Sequence, residues 1–360
     1  MIHIFIGTKA QLIKMAPIMR ALQDKKIDYN FVFSGQHQET INDLRANFNL
    51  KEPDIILYKG EDITSIFKML VWSIKLVWFT LRHKKKVWKG DTTGIVLNHG
   101  DTFSTLLGAL LAKMSGLKNA HIESGLRSFN LFHPFPEELT RLIVFRCTDY
   151  FFCPGDWAEQ NVKKYKGVKV NTEANTLYDA LQLIKNREIP ATLNIPSTEY
   201  SIVSLHRFEN LYKTQHLIKI VELLEEIAKK IPLLFILHKP TKNKLIKTGL
   251  LERLQQNPNI EMRPRYDYQN FISLVNKAKF VVTDGGSNQE ECCYLGKPCL
   301  LFRFATERQE GIGRNVVLSK FDSDIIMEFV QHYKRYEQQE IQFLFTPSER
   351  IIGTLMPFTN

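Results

Sequence analysis

Three carboxylates in the first half of the chain stand where acid–base chemistry would need them. Asp101 follows Gly100 at the end of an apolar run, Glu123 closes the next run, and Glu137 opens a helix after Pro136. A charged group at the buried end of a strand is costly unless it is paired or working. Lysines flank the first turn: Lys9 directly after Gly7-Thr8, and Lys14 one to two helical turns on. A glycine turn running into a helix N-terminus suits an anion. The second half supplies His206-Arg207 after one strand and Asp284-Gly285-Gly286-Ser287 after another, with Glu290, Glu291 and Arg308 downstream. Bare glycine amides at a helix start, with the helix dipole behind them, make a phosphate cradle. Glu290 or Glu291 would then accept from a ribose diol. The combination describes proton transfer on one half of the chain and a bound diphosphate on the other.

Each piece has a plainer alternative. Asp101 reads equally as a helix cap, and Lys9 and Lys14 as solvated lysines. Glu137 and Glu138, with Arg141 a turn later, read as acids matched to a helix dipole, with a Glu137–Arg141 pair; for Glu138 that plainer reading is preferred.

These residues need a frame that gathers strand ends. Short apolar runs at 2–6, 30–34, 94–98, 119–123 and 150–153 form one set, and runs at 201–205, 233–237, 259–262, 280–283 and 299–302 form a second. Helix-period segments lie between them, and uninterrupted apolar strands belong to parallel sheets covered on both faces. The expected fold is α/β, with two Rossmann-like doubly wound domains facing a central cleft. The domains are placed at 1–186 and 187–345, with 346–360 as a helix packing back on the first.

Hydrophobic residues make up 44% of the chain and charged residues 24%, which excludes a mainly disordered protein. The formal charge of +10 favours an acidic partner. No zinc-finger spacing, RNP-like motif or basic arm is present, so nucleic acid is not expected. Five cysteines without a CxxC pair, and a strand reading from the first residues, point to core thiols and a cytoplasmic location.

One segment exceeds what a sheet-covering helix needs. Residues 66–81 read IFKMLVWSIKLVWFTL and lead into Arg82, three lysines and Trp88. Lys68, Lys75 and Arg82 recur every seven residues as a thin polar stripe. At 1.5 Å per residue the apolar run reaches about 24 Å, short of a bilayer span. It is either a helix buried against a subunit partner or an interfacial helix of residues 66–88 on an anionic membrane, with tryptophans at the headgroups.

Taken in order, these residues resemble the non-hydrolysing UDP-N-acetylglucosamine 2-epimerase family. The landmarks are Gly7-Thr8 with Lys14-Met15-Ala16-Pro17, Gly35-Gln36-His37, His99-Gly100-Asp101-Thr102, Glu123 with Gly125-Leu126-Arg127, Pro136-Glu137-Glu138 with Arg141, Asn175-Thr176 with Asp179-Ala180-Leu181, His206-Arg207 with Glu209-Asn210, Gln289-Glu290-Glu291 with Leu295-Gly296-Lys297-Pro298, and Thr306-Glu307-Arg308. The resemblance implies a glycosyltransferase-B-like fold, a homodimer, and a reaction that needs neither metal nor nicotinamide cofactor. In that reaction UDP-GlcNAc becomes UDP-ManNAc for surface polysaccharide synthesis. A base removes the C2 proton, the diphosphate leaves C1, and the 2-acetamidoglucal is re-protonated on the opposite face. Asp101, Glu123 and Glu137 are then the acid–base groups. His206 with Lys14 stabilises the departing diphosphate, Arg207 assists, and Lys9, Arg141, Gly286, Ser287, Glu291 and Arg308 bind substrate.

The chain departs from the family pattern in places. Lys9-Ala10-Gln11 stands for Arg-Pro-Glu, Asp284-Gly285-Gly286-Ser287-Asn288 for Asp-Ser-Gly-Gly-Ile, and Ala174 for a glycine. Thr40 and Ile66 replace a methionine and an arginine tied to activation by a second UDP-GlcNAc. The altered nucleotide side and the Trp-rich helix keep three other readings open. They are the same chemistry on a polyprenyl-diphosphate-linked GlcNAc, a hydrolysing relative releasing ManNAc and UDP, and a sugar-nucleotide sensor. On the membrane-linked reading the protein is peripheral on the inner face of the plasma membrane.

Overall fold

The computed structural model describes every residue except 37–40, 64–65, 132–135, 191 and 360, with the backbone alone at 42, 43 and 66. The landmarks His37 and Thr40, Thr64, the side chain of Ile66, and Pro134-Phe135 therefore lie outside the described residues.

The chain divides into two units, Met1–Leu183 with Phe343–Asn360, and Ile184–Gln342. In the first unit the strands are β1 (Ile2–Ile6), β2 (Tyr29–Phe33), β3 (Ile55–Ile56), β4 (Ile95–His99), β5 (Lys118–Ile122), β6 (Tyr150–Cys153) and β7 (Val168–Asn171). They pair in the order β3-β2-β1-β4-β5-β6-β7, all in parallel. In the second unit β8 (Ser201–Ser204), β9 (Leu233–Leu237), β10 (Ile260–Pro264), β11 (Val281–Thr283), β12 (Cys299–Leu301) and β13 (Val316–Leu318) pair as β10-β9-β8-β11-β12-β13, again in parallel. Both orders reverse direction beside the first strand of the unit, so β1/β4 and β8/β11 are the switch points where ligands collect. The three strands that sequence reading missed, β3, β7 and β13, are sheet edges of two to four residues. Such strands carry too short an apolar signal to be seen, and β7 begins Val-Lys-Val-Asn.

The five cysteines are free, and all but Cys147 are buried. Cys153 packs with Phe145 and Phe151, and Cys292 and Cys299 pack beneath the second sheet.

The apolar helix spans Ile66–Arg82 and has two unlike faces. Trp72 and Leu76 are buried with Phe5, Val32 and Val96, and the Trp72 indole N–H donates to Ser34 O. Trp88 is also buried, with its indole N–H on Ser115 Oγ. The expectation of headgroup-level tryptophans is therefore wrong for both of these rings, because the sheet needs them as core. Trp78 alone among the tryptophans of this segment stands outward, 61% exposed, beside Phe67, Leu70 and Ile74. No helix among the described residues is long and apolar enough to cross a membrane.

The C-terminal helix Pro347–Leu355 packs on the helix Lys9–Asp24 of the first unit. A capping box from Thr346 and Glu349 starts it. Its anchor is Asp179, whose Oδ2 accepts from Ser348 N at 2.8 Å and Ser348 Oγ at 2.6 Å. Burial pushes the Asp179 carboxyl up to about 6 despite those donors. A carboxyl raised above its unfolded value binds a proton more tightly when folded. Its stabilising contribution is therefore complete below about pH 4 and is lost as pH rises toward 6. Asp179→Asn should flatten the stability of the protein between pH 4 and 6, measured by denaturant midpoints. A wild-type slope that survives the substitution would show that another group titrates there.

Candidate active site

In the first unit the chemistry gathers at the carboxyl ends of β4 and β5. Gly100 leaves β4 at a φ of 69°, a left-handed conformation that glycine adopts freely, and a Cβ there would crowd Glu123 Oε2 at 3.2 Å. His121, on β5, holds the turn by bonding Gly100 O through Nε2 at 2.7 Å and Ser124 Oγ through Nδ1 at 2.9 Å. Burial lowers this imidazole to about 4, so it stays neutral. Glu123 itself sits at a φ of 60°, a left-handed conformation uncommon for a side-chain-bearing residue. Such backbones persist where surrounding contacts hold them. Here Lys14 Nζ reaches Glu123 Oε1 at 2.6 Å and Asn175 Nδ2 reaches it at 2.5 Å.

Lys14 is thus buried against Glu123, and its ammonium forms an ion pair with that carboxylate. Lys9, by contrast, is half-buried at the first position of its helix. Gln11 stands where the family pattern has glutamate. Its carbonyl oxygen accepts from Gly7 N, while its amide nitrogen donates to His99 O at 2.8 Å and Thr105 Oγ1 at 2.9 Å. An ionised glutamate could not make those two donations.

Asp101 is partly exposed, and Arg141 donates to its Oδ2. Arg141 Nη1 also reaches Glu138 Oε2 at 3.3 Å. Glu138 is fully buried, taking Arg127 Nε on one oxygen and Ser128 N at 3.0 Å on the other. Burial alone would raise this carboxyl, but Ser128 N–H, Arg127 and Arg141 hold it below the ordinary glutamate value. Glu138 does stand in the first turn of its helix, as expected, and in addition the arginines enclose it and it orients the one that binds Asp101. Glu137, next in line, opens the helix Glu137–Cys147 in a half-buried position.

In the second unit Asp284, just past β11, is fully buried and organises the turn after β8. It accepts from His206 N at 3.0 Å, Arg207 N at 2.9 Å and Asn210 Nδ2 at 2.9 Å. The His206 ring is left partly exposed, stacked on His238 at 4.6 Å. Desolvation lowers its pKa while Asp284 acts in the opposite direction. Arg207 reaches Glu209 at 3.0 Å and Glu307 at 3.6 Å, and Arg303 reaches Glu307 at 2.9 Å. Burial opposes ionisation of Glu307, yet Arg303, Arg308 and Arg207 hold it down at about 2.

The helix Gly286–Tyr294 starts at the expected glycines. The Gly285 amide is taken by Thr283 Oγ1 at 3.0 Å, which leaves Gly286 and Ser287 as the cradle positions. A Cβ on Gly286 would come within 2.6 Å of Arg308 Nε, so glycine lets Arg308 lie across the helix start. Glu290 is fully buried and takes Arg308 Nη1 at 2.6 Å, so it anchors that arginine. Glu291 is also buried and accepts from Asn288 Nδ2 at 2.8 Å.

The first unit therefore brings together Asp101, Glu123, Lys14 and Arg141, with Lys9 and Glu137 on helices that open at the same sheet edge. The second brings together His206, Arg207, Gly286, Ser287 and Arg308. Sequence reading assigned no roles to His99, Asn175, Asp284 or Glu307. Asn175 was visible as a landmark, but no local pattern says that it reaches Glu123. No group of three or more His, Cys, Asp or Glu suited to a metal occurs among the described residues.

Removing one partner of a buried charge cluster costs about 3–5 kcal/mol. Glu138→Ala should show a loss of this order in chemical denaturation, and activity should fall at temperatures where the variant is still folded, because Arg141 loses its support. Wild-type stability and activity would contradict the central position of Glu138. Glu307 stabilises the folded state fully above its unfolded value near pH 4.5, and that contribution is lost as pH falls toward 2. Glu307→Gln should therefore be destabilised at pH 7 and converge on wild type near pH 2, as read by denaturant midpoints.

The family model for UDP-N-acetylglucosamine 2-epimerase matches residues 20–345. UDP-N-acetylglucosamine 2-epimerase of Methanocaldococcus jannaschii is 30% identical over 354 residues, covering 93% of each chain. The enzyme of the same name from Campylobacter jejuni is 30% identical over 336 residues, 88% of this chain and 84% of that one. The crystal structure of the Methanocaldococcus jannaschii enzyme in complex with UDP-GlcNAc and UDP matches with a TM-score of 0.85 at 28% identity over 99% of each chain. That of the Neisseria meningitidis enzyme bound to UDP-GlcNAc matches with a TM-score of 0.82 at 26% identity, also over 99% of each. With its two parallel-sheet α/β units and its strand-end carboxylates, this chain belongs to the UDP-N-acetylglucosamine 2-epimerase family.

Proposed function

We propose that this chain interconverts UDP-GlcNAc and UDP-ManNAc. The observation that carries the reading is the pair of carboxylates, Asp101 and Glu123, at the ends of adjacent strands, each held by its own cation. A carboxylate takes the proton from C2, and the C–H electron pair becomes the C1=C2 double bond. The C1–O bond breaks in the anti sense and its electrons leave with the diphosphate. In the return step a diphosphate oxygen attacks C1 while a second group delivers a proton to the other face of C2. Two proton-transfer groups are needed, and Asp101, Glu123 and Glu137 are the candidates. His206, Arg207, Gly286 and Ser287 stabilise the free diphosphate, with Lys9 and Arg308 as further phosphate contacts and Glu291 toward the ribose. In this reading Lys14 and Arg141 act by holding Glu123 and Asp101.

Incubation with UDP-GlcNAc in deuterated buffer should place deuterium at C2 and yield UDP-ManNAc. Glu123→Gln and Asp101→Asn should each lower kcat by roughly 10²–10⁴-fold with little change in UDP binding. Free ManNAc would identify a hydrolysing enzyme. Exchange only on a polyprenyl-diphosphate-linked GlcNAc would move the leaving group from UDP to lipid. Ligand binding without exchange would leave a sensor.

A second element of the proposal places the protein on the inner face of an anionic membrane through residues 66–88. Phe67, Leu70, Ile74 and Trp78 form the exposed apolar face, and Lys75, Arg82, Lys85 and Lys86 are exposed beside it. No Asp or Glu occurs between Asp62 and Asp91, while seven Lys and Arg do. A symmetric pairing of two such faces would set like charges against each other, whereas acidic headgroups complement them. The protein should sediment with vesicles containing phosphatidylglycerol and not with pure phosphatidylcholine, with a blue shift of Trp78 fluorescence that Trp78→Ser removes. A concentration-dependent homodimer that buries Trp78 without vesicles would overturn this placement.

A further inference from the structure

His99 is the last residue of β4, and its imidazole is buried against Glu123. Its carbonyl accepts from Gln11 Nε2 at 2.8 Å and from Thr105 Oγ1 at 2.6 Å, which fixes the residue between two helices. The ring nitrogen Nε2 is enclosed and makes no hydrogen bond. It faces Glu123 Oε2 across 3.7 Å. The opposite carboxylate oxygen, Oε1, takes both Lys14 and Asn175. The titratable and charged groups around the imidazole are Glu123, Lys14, His121 and Asp101. Buried ring nitrogens are seldom left unsatisfied, so a partner supplied only in another protonation state is the natural explanation.

The reaction proposed above supplies that state. A base that removes the C2 proton must hold it as a carboxylic acid until the proton is returned or exchanged. Lys14 and Asn175 act against this, since a cation and an amide donor on Oε1 both favour the carboxylate. We propose that His99 is a positioning residue for the protonated form of Glu123, with Nε2 accepting a hydrogen bond from the Oε2–H of the acid. The proton remains on Glu123, no bond to the imidazole forms or breaks, and the ring carries its own proton on Nδ1. Burial lowers the imidazole to about 3, which keeps it a neutral acceptor throughout the working pH range. The gap of 3.7 Å is then the resting distance between two acceptors, and it closes to hydrogen-bond length once the acid forms.

The inference rests on Glu123 acting as the base, and its test separates the two claims. Glutamine places its amide near the Nε2 position, whereas asparagine reaches only Nδ1. In His99→Asn the kcat should fall roughly 10- to 100-fold with KM within about threefold, and the acid limb of the kcat profile should move to lower pH by roughly one unit. His99→Gln should restore most of the rate and the position of the limb. An infrared titration, with the Glu123 band assigned by its loss in Glu123→Gln, should show the protonated C=O stretch appearing at lower pH and higher frequency in His99→Asn. This readout needs no turnover. Absence of C2 exchange in the wild-type protein would sink the epimerase reading and leave the infrared test standing. An unmoved Glu123 titration, or equal losses in both variants accompanied by equal drops in Tm, would show that His99 is only a packing residue.

Discussion

A carboxylate shut away from water must be given donors, and this requirement organises the candidate site residues of each unit. Glu138, Asp284 and Glu290 are fully buried. Glu138 gathers Arg127 and Arg141, Asp284 gathers the amides of His206 and Arg207, and Glu290 gathers Arg308. In the proposed reaction His206, Arg207 and Arg308 face the diphosphate directly, whereas Arg141 acts one step removed, through its bond to Asp101. The buried carboxylates contribute orientation, and the more exposed groups contribute chemistry.

The sheets explain why the supports and the working groups lie so close. In a parallel sheet every strand ends at the same edge, so β4 and β5 deliver His99, Asp101 and Glu123 side by side, and β8 and β11 deliver His206 and Asp284. Glycine at 100 then supplies a left-handed turn beside Glu123, and glycine at 286 permits an approach by Arg308 that a Cβ would crowd. Glu123 is left-handed, and two donors on one oxygen hold it there.

The helix Ile66–Arg82 serves two environments with one apolar sequence. Its inner face completes the core of the first sheet through Trp72 and Leu76, and its outer face leaves Trp78 and Phe67 in water. An exposed apolar face marks an interaction surface, and basic residues lie beside this one.

Much of this was legible from residue order alone. The alternation of apolar runs with helical periods determined the two doubly wound sheets. The ordered landmarks determined the family, because their spacing over the whole chain leaves little room for coincidence. Asp101, Glu123, His206 and the glycine turn at 285–286 were visible because charged or glycine residues stand out against apolar strand ends. The partners of Glu138, Glu290 and Lys14 were decided only by the tertiary structure. Each looks locally like an ordinary helix residue, and what distinguishes it is a partner 3 to 109 positions away in sequence. Likewise, periodicity marked the helix at 66–82 as too apolar for one face, but could not tell that Trp72 packs inward and Trp78 outward. Local pattern reports what a residue prefers, whereas burial and partners depend on which distant segments the fold brings against it.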